Sequence, residues 1–180
     1  MAAPRSLLEV VVRQVRERPL RHVCSGRRGA ARHRIRRCVT VIVDTGGLYA
    51  AYDRDDAFHH DVCDVLAEDT EIVIPPLVLA ELDYLVAARL GEAARAEITA
   101  ELAEAAVVAE FTQQMFVSAA EIASAYGEIG LGLTDASVAV TAYTYRTREI
   151  LTVDQRHFRA LRPLPGTPGT SFRLLPFDAD

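Results

Sequence analysis

The 180-residue chain contains no lysine and no tryptophan. Its three cysteines, Cys24, Cys38 and Cys63, are odd in number and lack C-x-x-C spacing, which argues against a disulfide framework and against a cysteine-held zinc site. They are expected to be reduced thiols in a cytoplasmic protein. No apolar run approaches the ~20 residues needed to span a bilayer, and no apolar stretch near the N-terminus separates a basic head from a small-residue cleavage site. No membrane association is therefore expected. Neither G-x-x-x-x-G-K nor G-x-G-x-x-G occurs, which excludes a P-loop or dinucleotide enzyme.

What is present is unevenly charged. Residues 1–39 carry 11 arginines against Glu9 and Glu17, whereas residues 40–180 carry nine arginines against 23 acids. The N-terminal segment, residues 1–38, holds too little apolar surface to offset its ordering entropy and is expected to be mostly disordered. Two readings of it stand: a basic arm that grips nucleic acid, or a start assigned upstream of the real one, since Val39 or Val41 would open a complete domain.

From Val39 the composition becomes that of a single globular domain, 39–180. The stretch Val39 to Val43 is apolar and β-branched and ends in Asp44, Thr45, Gly46 and Gly47, the signature of a buried strand delivering a carboxylate to its carboxyl end. A short helix follows to Tyr52, and Asp56 is placed to cap a helix running to about Glu68. Ile72 to Ile74 reads as a second strand, stopped by Pro75 and Pro76. The next helix, Leu77 to about Leu90, repeats apolar residues near a period of 3.6 and is closed by Gly91. An alanine-rich helix spans Glu92 to about Ala105. Val107 to Phe111 suits a third strand, and Thr112 a cap for the helix after it. Thr134 is placed to cap a helix from Asp135 to about Tyr145. Ile150 to Val153 is a fourth strand, ending at Asp154, and Ser171 to Leu175 is a short edge strand. Strands alternating with helices imply an α/β fold whose central, mostly parallel sheet is covered on both faces.

Two strands thus end in aspartates, Asp44 and Asp154, and two further acids, Glu81 and Asp135, sit in early turns of helices. If the four face one cleft, their repulsion must be relieved by protonation or by a cation. Oxygen-only ligation is the preference of Mg²⁺ or Mn²⁺. A carboxylate-held Mg²⁺ keeps waters that it can activate while neutralising a phosphodiester, so metal-assisted hydrolysis of nucleic acid is the reaction class that follows.

Four motifs carry a family resemblance: I-V-D-T-G-x-L at Ile42 to Leu48, P-x-x-V-x-x-E-L-x-Y at Pro75 to Tyr84, L-T-D-A-S at Leu133 to Ser137, and L-T-x-D-x-R-x-F at Leu151 to Phe158. Together they resemble the PIN domain, specifically the VapC-type toxin ribonucleases of VapBC toxin–antitoxin systems, over roughly residues 39 to 177. The resemblance implies a PIN-like three-layer α/β/α fold and a Mg²⁺- or Mn²⁺-dependent endoribonuclease, held inactive by a VapB-type antitoxin and dimeric. It implies that Asp44, Glu81, Asp135 and Asp154 form the catalytic and metal-binding acids. Thr45 matches a small hydroxyl residue that assists metal or water positioning. Asp154 matches the most variable member of the set, and the basic extension before Val39 departs from the family pattern.

Other acids and histidines compete for these roles. Asp83 lies roughly 200° around a helix from Glu81, so only one of them can face the site; Glu81 is expected to. Asp53, Asp55, Asp56 and Asp61 read as a solvated surface, and adjacent His59 and His60 diverge by ~100° on a helix and cannot easily share a metal. Arg156 and His157 are placed to meet a phosphate, and Arg89, Arg146, Arg148, Arg156 and Arg159 are candidates to line the approach of RNA. A strand-end aspartate also suits a phosphoacceptor, but receiver domains and haloacid-dehalogenase-like phosphatases use a lysine, and the latter need an aspartate where this chain has Gly46. A PIN-like module that binds RNA or antitoxin without cutting is the alternative from another class.

Overall fold

The structure, a computed structural model, describes residues 39–68 and 70–179. The basic segment before Val39, with the two readings of it, lies outside the described residues.

Five strands form one all-parallel sheet: β1 (Val39–Val43), β2 (Thr70–Ile74), β3 (Val107–Val108), β4 (Glu149–Leu151) and β5 (Arg173–Leu175), in the order β3-β2-β1-β4-β5. Seven α-helices lie between and after the first four: α1 (Thr45–Tyr52), α2 (His59–Ala67), α3 (Pro76–Arg89), α4 (Glu92–Ala105), α5 (Gln113–Ala125), α6 (Leu133–Thr144) and α7 (Gln155–Ala160). The described part of the chain starts in the centre of the sheet, moves outward through β2 and β3, and returns to lay β4 and β5 on the other side of β1. Right-handed crossovers then put the helices of the two halves on opposite faces, giving the three-layer α/β/α arrangement. The reversal falls between β1 and β4, and in open parallel sheets that switch point is where ligands bind.

The registers fix what meets there. Val41 pairs with Ile72, and Val43 with Leu151, so the residues following Val43 and Leu151 emerge side by side at the carboxyl edge. The strands read as near-continuous apolar runs because both faces are covered: Val41, Ile42, Val43, Val73, Ile74, Ile150, Leu151 and Leu174 are all buried. Helix α6 is buried continuously from Ala136 to Ala142, and its small side chains let it pack against β1, β4, α3 and α5 at once.

Four local expectations are corrected. Strand β3 is two residues long rather than five, and β4 ends at Leu151, three residues before Asp154. Asp56 does not cap α2; it accepts from the Phe58 N–H at 2.8 Å in a turn before the helix begins. Thr134 does not cap α6, which starts at Leu133: Asp135 reaches back to the Gly132 N–H at 2.8 Å and stabilises that end from the third helical position.

Candidate active site

Asp44 leaves β1 and caps α1, its Oδ2 accepting from the Gly46 N–H at 3.3 Å and from the Thr152 hydroxyl at 2.9 Å. Its residue is only 4% exposed. Burial pushes its carboxyl up to about 6, with the Asp135 charge adding to the shift while Thr152 and nearby backbone N–H groups oppose it. The corner that carries it is tight. A Cβ on Gly47 would sit 2.6 Å from the Leu151 carbonyl oxygen, and one on Gly46 would sit 2.8 Å from the Val153 side chain. Two glycines are thus what let α1 start directly against β4.

Glu81 comes from the second turn of α3 and is exposed, but its Oε2 is held at 2.6 Å by the Thr45 hydroxyl. Asp83 turns the other way and pairs with Arg95 of α4 at 3.2 Å. Asp135 is half-buried, and burial raises its carboxyl above the ordinary range, Asp154 and Glu81 adding to the rise while the Gly132 N–H and His157 oppose it. Asp154 caps α7, its Oδ1 accepting from the His157 N–H at 3.1 Å. Asp135 thus feels Asp154 and Glu81 directly, and Asp44 feels Asp135, so the four acids form one electrostatic group with Asp135 in its middle. Among the described residues, however, no three His, Cys, Asp or Glu side chains are drawn together closely enough to grasp an ion as they stand.

The expectation that His157 meets a phosphate does not match its place. Its Nδ1 lies 2.9 Å from Asp154 Oδ2 and 3.5 Å from Asp135 Oδ2, and its Nε2 faces the Ile129 carbonyl at 3.2 Å. Both ring nitrogens therefore face oxygens of the chain itself, Nδ1 those of two of the acids and Nε2 a backbone carbonyl. Several arginines are also engaged elsewhere: Arg159 forks onto Asp178, Arg148 approaches Glu149, and Arg89 lies over the Tyr49 ring. Arg146 and Arg156 are exposed. His59 is turned to the Ala50 carbonyl at 2.8 Å.

Sequence reasoning placed Thr152 in the L-T-x-D motif but gave it no role. A threonine near the end of an apolar strand looks like any β-branched strand former, and only the register with β1 reveals that its hydroxyl meets Asp44.

An all-parallel α/β/α domain with its acids gathered where the strand order reverses defines a class, and the chain belongs to it: it is a member of the PIN-domain family, whose model matches residues 41–162. Within that family it falls among the VapC ribonucleases. It is 41% identical over 128 residues to Ribonuclease VapC26 of Mycobacterium tuberculosis, a match covering 70% of this chain and 95% of that protein. Several solved structures share the fold, two of them as follows. One is Mycobacterium tuberculosis VapC20, described as a sarcin-ricin loop cleaving toxin, with a TM-score of 0.59 at 21% identity over 64% of this chain and 91% of that one. The other is VapBC2 of Rickettsia felis bound to a promoter DNA fragment, with a TM-score of 0.53 at 20% identity over 70% of this chain and 96% of that one. Among the described residues no helix is long and apolar enough to cross a membrane.

Proposed function

We propose that this protein is an endoribonuclease toxin of the VapC type, dependent on Mg²⁺ or Mn²⁺, that cuts RNA phosphodiester bonds in the cytoplasm and is neutralised by a VapB-type antitoxin. The observation that carries the reading is the set of contacts that join the acids at the switch point of a PIN sheet, Thr152 bridging Asp44 to the Asp154 N–H, His157 lying between Asp154 and Asp135, and Thr45, next to Asp44, holding Glu81, in a chain 41% identical to a named ribonuclease.

The donor set fits a hard divalent cation. It is all oxygen, and burial, which raises the Asp44 and Asp135 carboxyls, makes their charged forms costly where no counter-charge is supplied. Asp44, Glu81, Asp135 and Asp154 would hold the cation, which when bound supplies an activated water and neutralises charge on the phosphodiester. The protein's own residues prepare the place. Thr45 fixes the rotation of Glu81, Gly132 and the first turn of α6 hold Asp135, and His157 keeps Asp154 and Asp135 from splaying apart. The PIN domain spans residues 39–180, and a homodimer is the expected assembly. An apolar groove between α3 and α4, lined by Leu79, Leu82, Val86, Ile98 and Leu102, supports the seating of an antitoxin segment there.

Purified protein free of antitoxin is expected to cut a structured RNA in Mg²⁺ or Mn²⁺, and excess chelator to stop it. Cleavage that persists unchanged in chelator rules out the metal mechanism. RNA binding without cleavage by the wild-type chain in both ions favours the non-cutting alternative.

A further inference from the structure

Thr152 has no exposed surface, and its backbone N–H donates to the Leu175 carbonyl of β5 at 3.0 Å, so its position is set by the sheet. Valine would fill the same space and suit the same strand end. A buried hydroxyl is costly unless it is paired, so the oxygen has to be accounted for. It has one proton and two lone pairs. The proton goes to Asp44 Oδ2 at 2.9 Å, and a lone pair accepts the Asp154 N–H at 3.0 Å. The other donor to that Asp44 oxygen, the Gly46 N–H, is longer at 3.3 Å and correspondingly weaker. One buried atom therefore joins the first acid of the group to the backbone of the last, across 108 residues of sequence.

We propose that Thr152 is a positioning residue of the nuclease site, its hydroxyl fixing the rotation of the Asp44 carboxylate and coupling it to the backbone position of Asp154. The proposal rests on the reading of these acids as one metal-binding site. It separates two properties that strand packing leaves together: shape, which valine preserves, and the hydroxyl, which serine preserves.

The test compares Thr152→Val and Thr152→Ser in the full chain, by Mn²⁺ titration calorimetry, RNA cleavage kinetics, and amide exchange at Asp154 in ¹⁵N-labelled protein. Losing a hydrogen bond to a charged group lowers kcat by about 10- to 100-fold, with KM for RNA within about twofold, and weakens Mn²⁺ binding by about 10-fold. Exchange of the Asp154 N–H, left without its acceptor, speeds up by about 10-fold. Thr152→Ser restores all three to within about threefold, because it keeps the oxygen and loses only a methyl group. A folded Thr152→Val protein that binds Mn²⁺ and cuts RNA like the wild type overturns the proposal, and so does a serine variant as impaired as the valine one. Asp44→Asn run alongside separates the two claims. If it too leaves Mn²⁺ binding and cleavage intact, the site reading itself fails; if it abolishes both while Thr152→Val changes neither, only the role of Thr152 falls. Should Thr152→Val not fold, Thr152→Ala set against Thr152→Ser makes the same comparison.

Discussion

Two neighbouring corners of the sheet each carry an aspartate that caps a helix, and they hold it by different means. At the β1–α1 corner, Asp44 is sunk into the core beside two glycines, and burial dominates its chemistry. At the β4–α7 corner, the Asp154 side chain is 38% exposed and is held by His157. The first arrangement is costly in the absence of a counter-charge and rigid. The second is adaptable and solvated. A site built from one of each has a fixed reference carboxylate and a more forgiving partner.

The largest expected effect lies at the fixed corner. Asp44→Asn keeps an oxygen for Thr152 and Gly46 but removes the charge, and is expected to lower RNA cleavage by about 10³-fold, the scale of losing a principal electrostatic group from a catalytic site. The same variant has a signature without metal. Because the folded carboxyl is pushed up to about 6 from an ordinary 3.8, its contribution to stability is fully present below pH 3.8 and is lost as pH rises through about 6. In chelator the wild type is therefore expected to lose about 3 kcal/mol of stability over that window, and Asp44→Asn to lose far less, by urea unfolding at a series of pH values. Equal pH profiles for the two proteins would break the contrast between the corners.

Gly47→Ala comes next. Its Cβ would meet the Leu151 backbone carbonyl at 2.6 Å, and backbone gives way less readily than the tip of a side chain. A cost of about 1–3 kcal/mol in unfolding free energy is expected from overpacking of this kind. The change at Gly46, whose tightest contact would be a Val153 methyl at 2.8 Å rather than backbone, should cost less. Reversal of that order in denaturant titrations would show that the tightness of the corner lies elsewhere.

The smallest effect belongs to the forgiving corner. Asp154→Asn keeps an oxygen for the His157 N–H and loses charge at a half-open position, so cleavage is expected to fall only about tenfold, less than for Asp44→Asn. Steady-state kinetics of the two variants on one RNA would decide it, and equal losses would erase the distinction.

The sequence made the frame legible because burial on both faces of a parallel sheet writes continuous apolar runs, as in Val39 to Val43 and Ile72 to Ile74. The abrupt change from Val43 to Asp44 and Gly46 marked a strand end with no further information. Helix geometry allowed only one of Glu81 and Asp83 to face the site, the motif at Pro75 to Tyr84 pointed to Glu81, and Asp83 turns to Arg95. What stayed hidden depended on contacts rather than periods. The start of α6 was misjudged because Gly132 has no side chain to signal a cap, while Thr134 offers a false one. His157 was a candidate phosphate ligand because it lies just beyond Asp154, whereas in space its ring is turned onto Asp154 and Asp135. Thr152 stands in the L-T-x-D motif, but its role stayed hidden because its partner lies 108 residues away.

That separation also sets an order of events during synthesis. Strand β1 can pair with β2 as soon as residues 70–74 have emerged, since only two short helices part them. Its other edge waits for β4, and Asp44 waits for Thr152. A ribosome-bound chain therefore carries the first acid long before it carries the site, and a fragment released before residue 152 has no means of completing it.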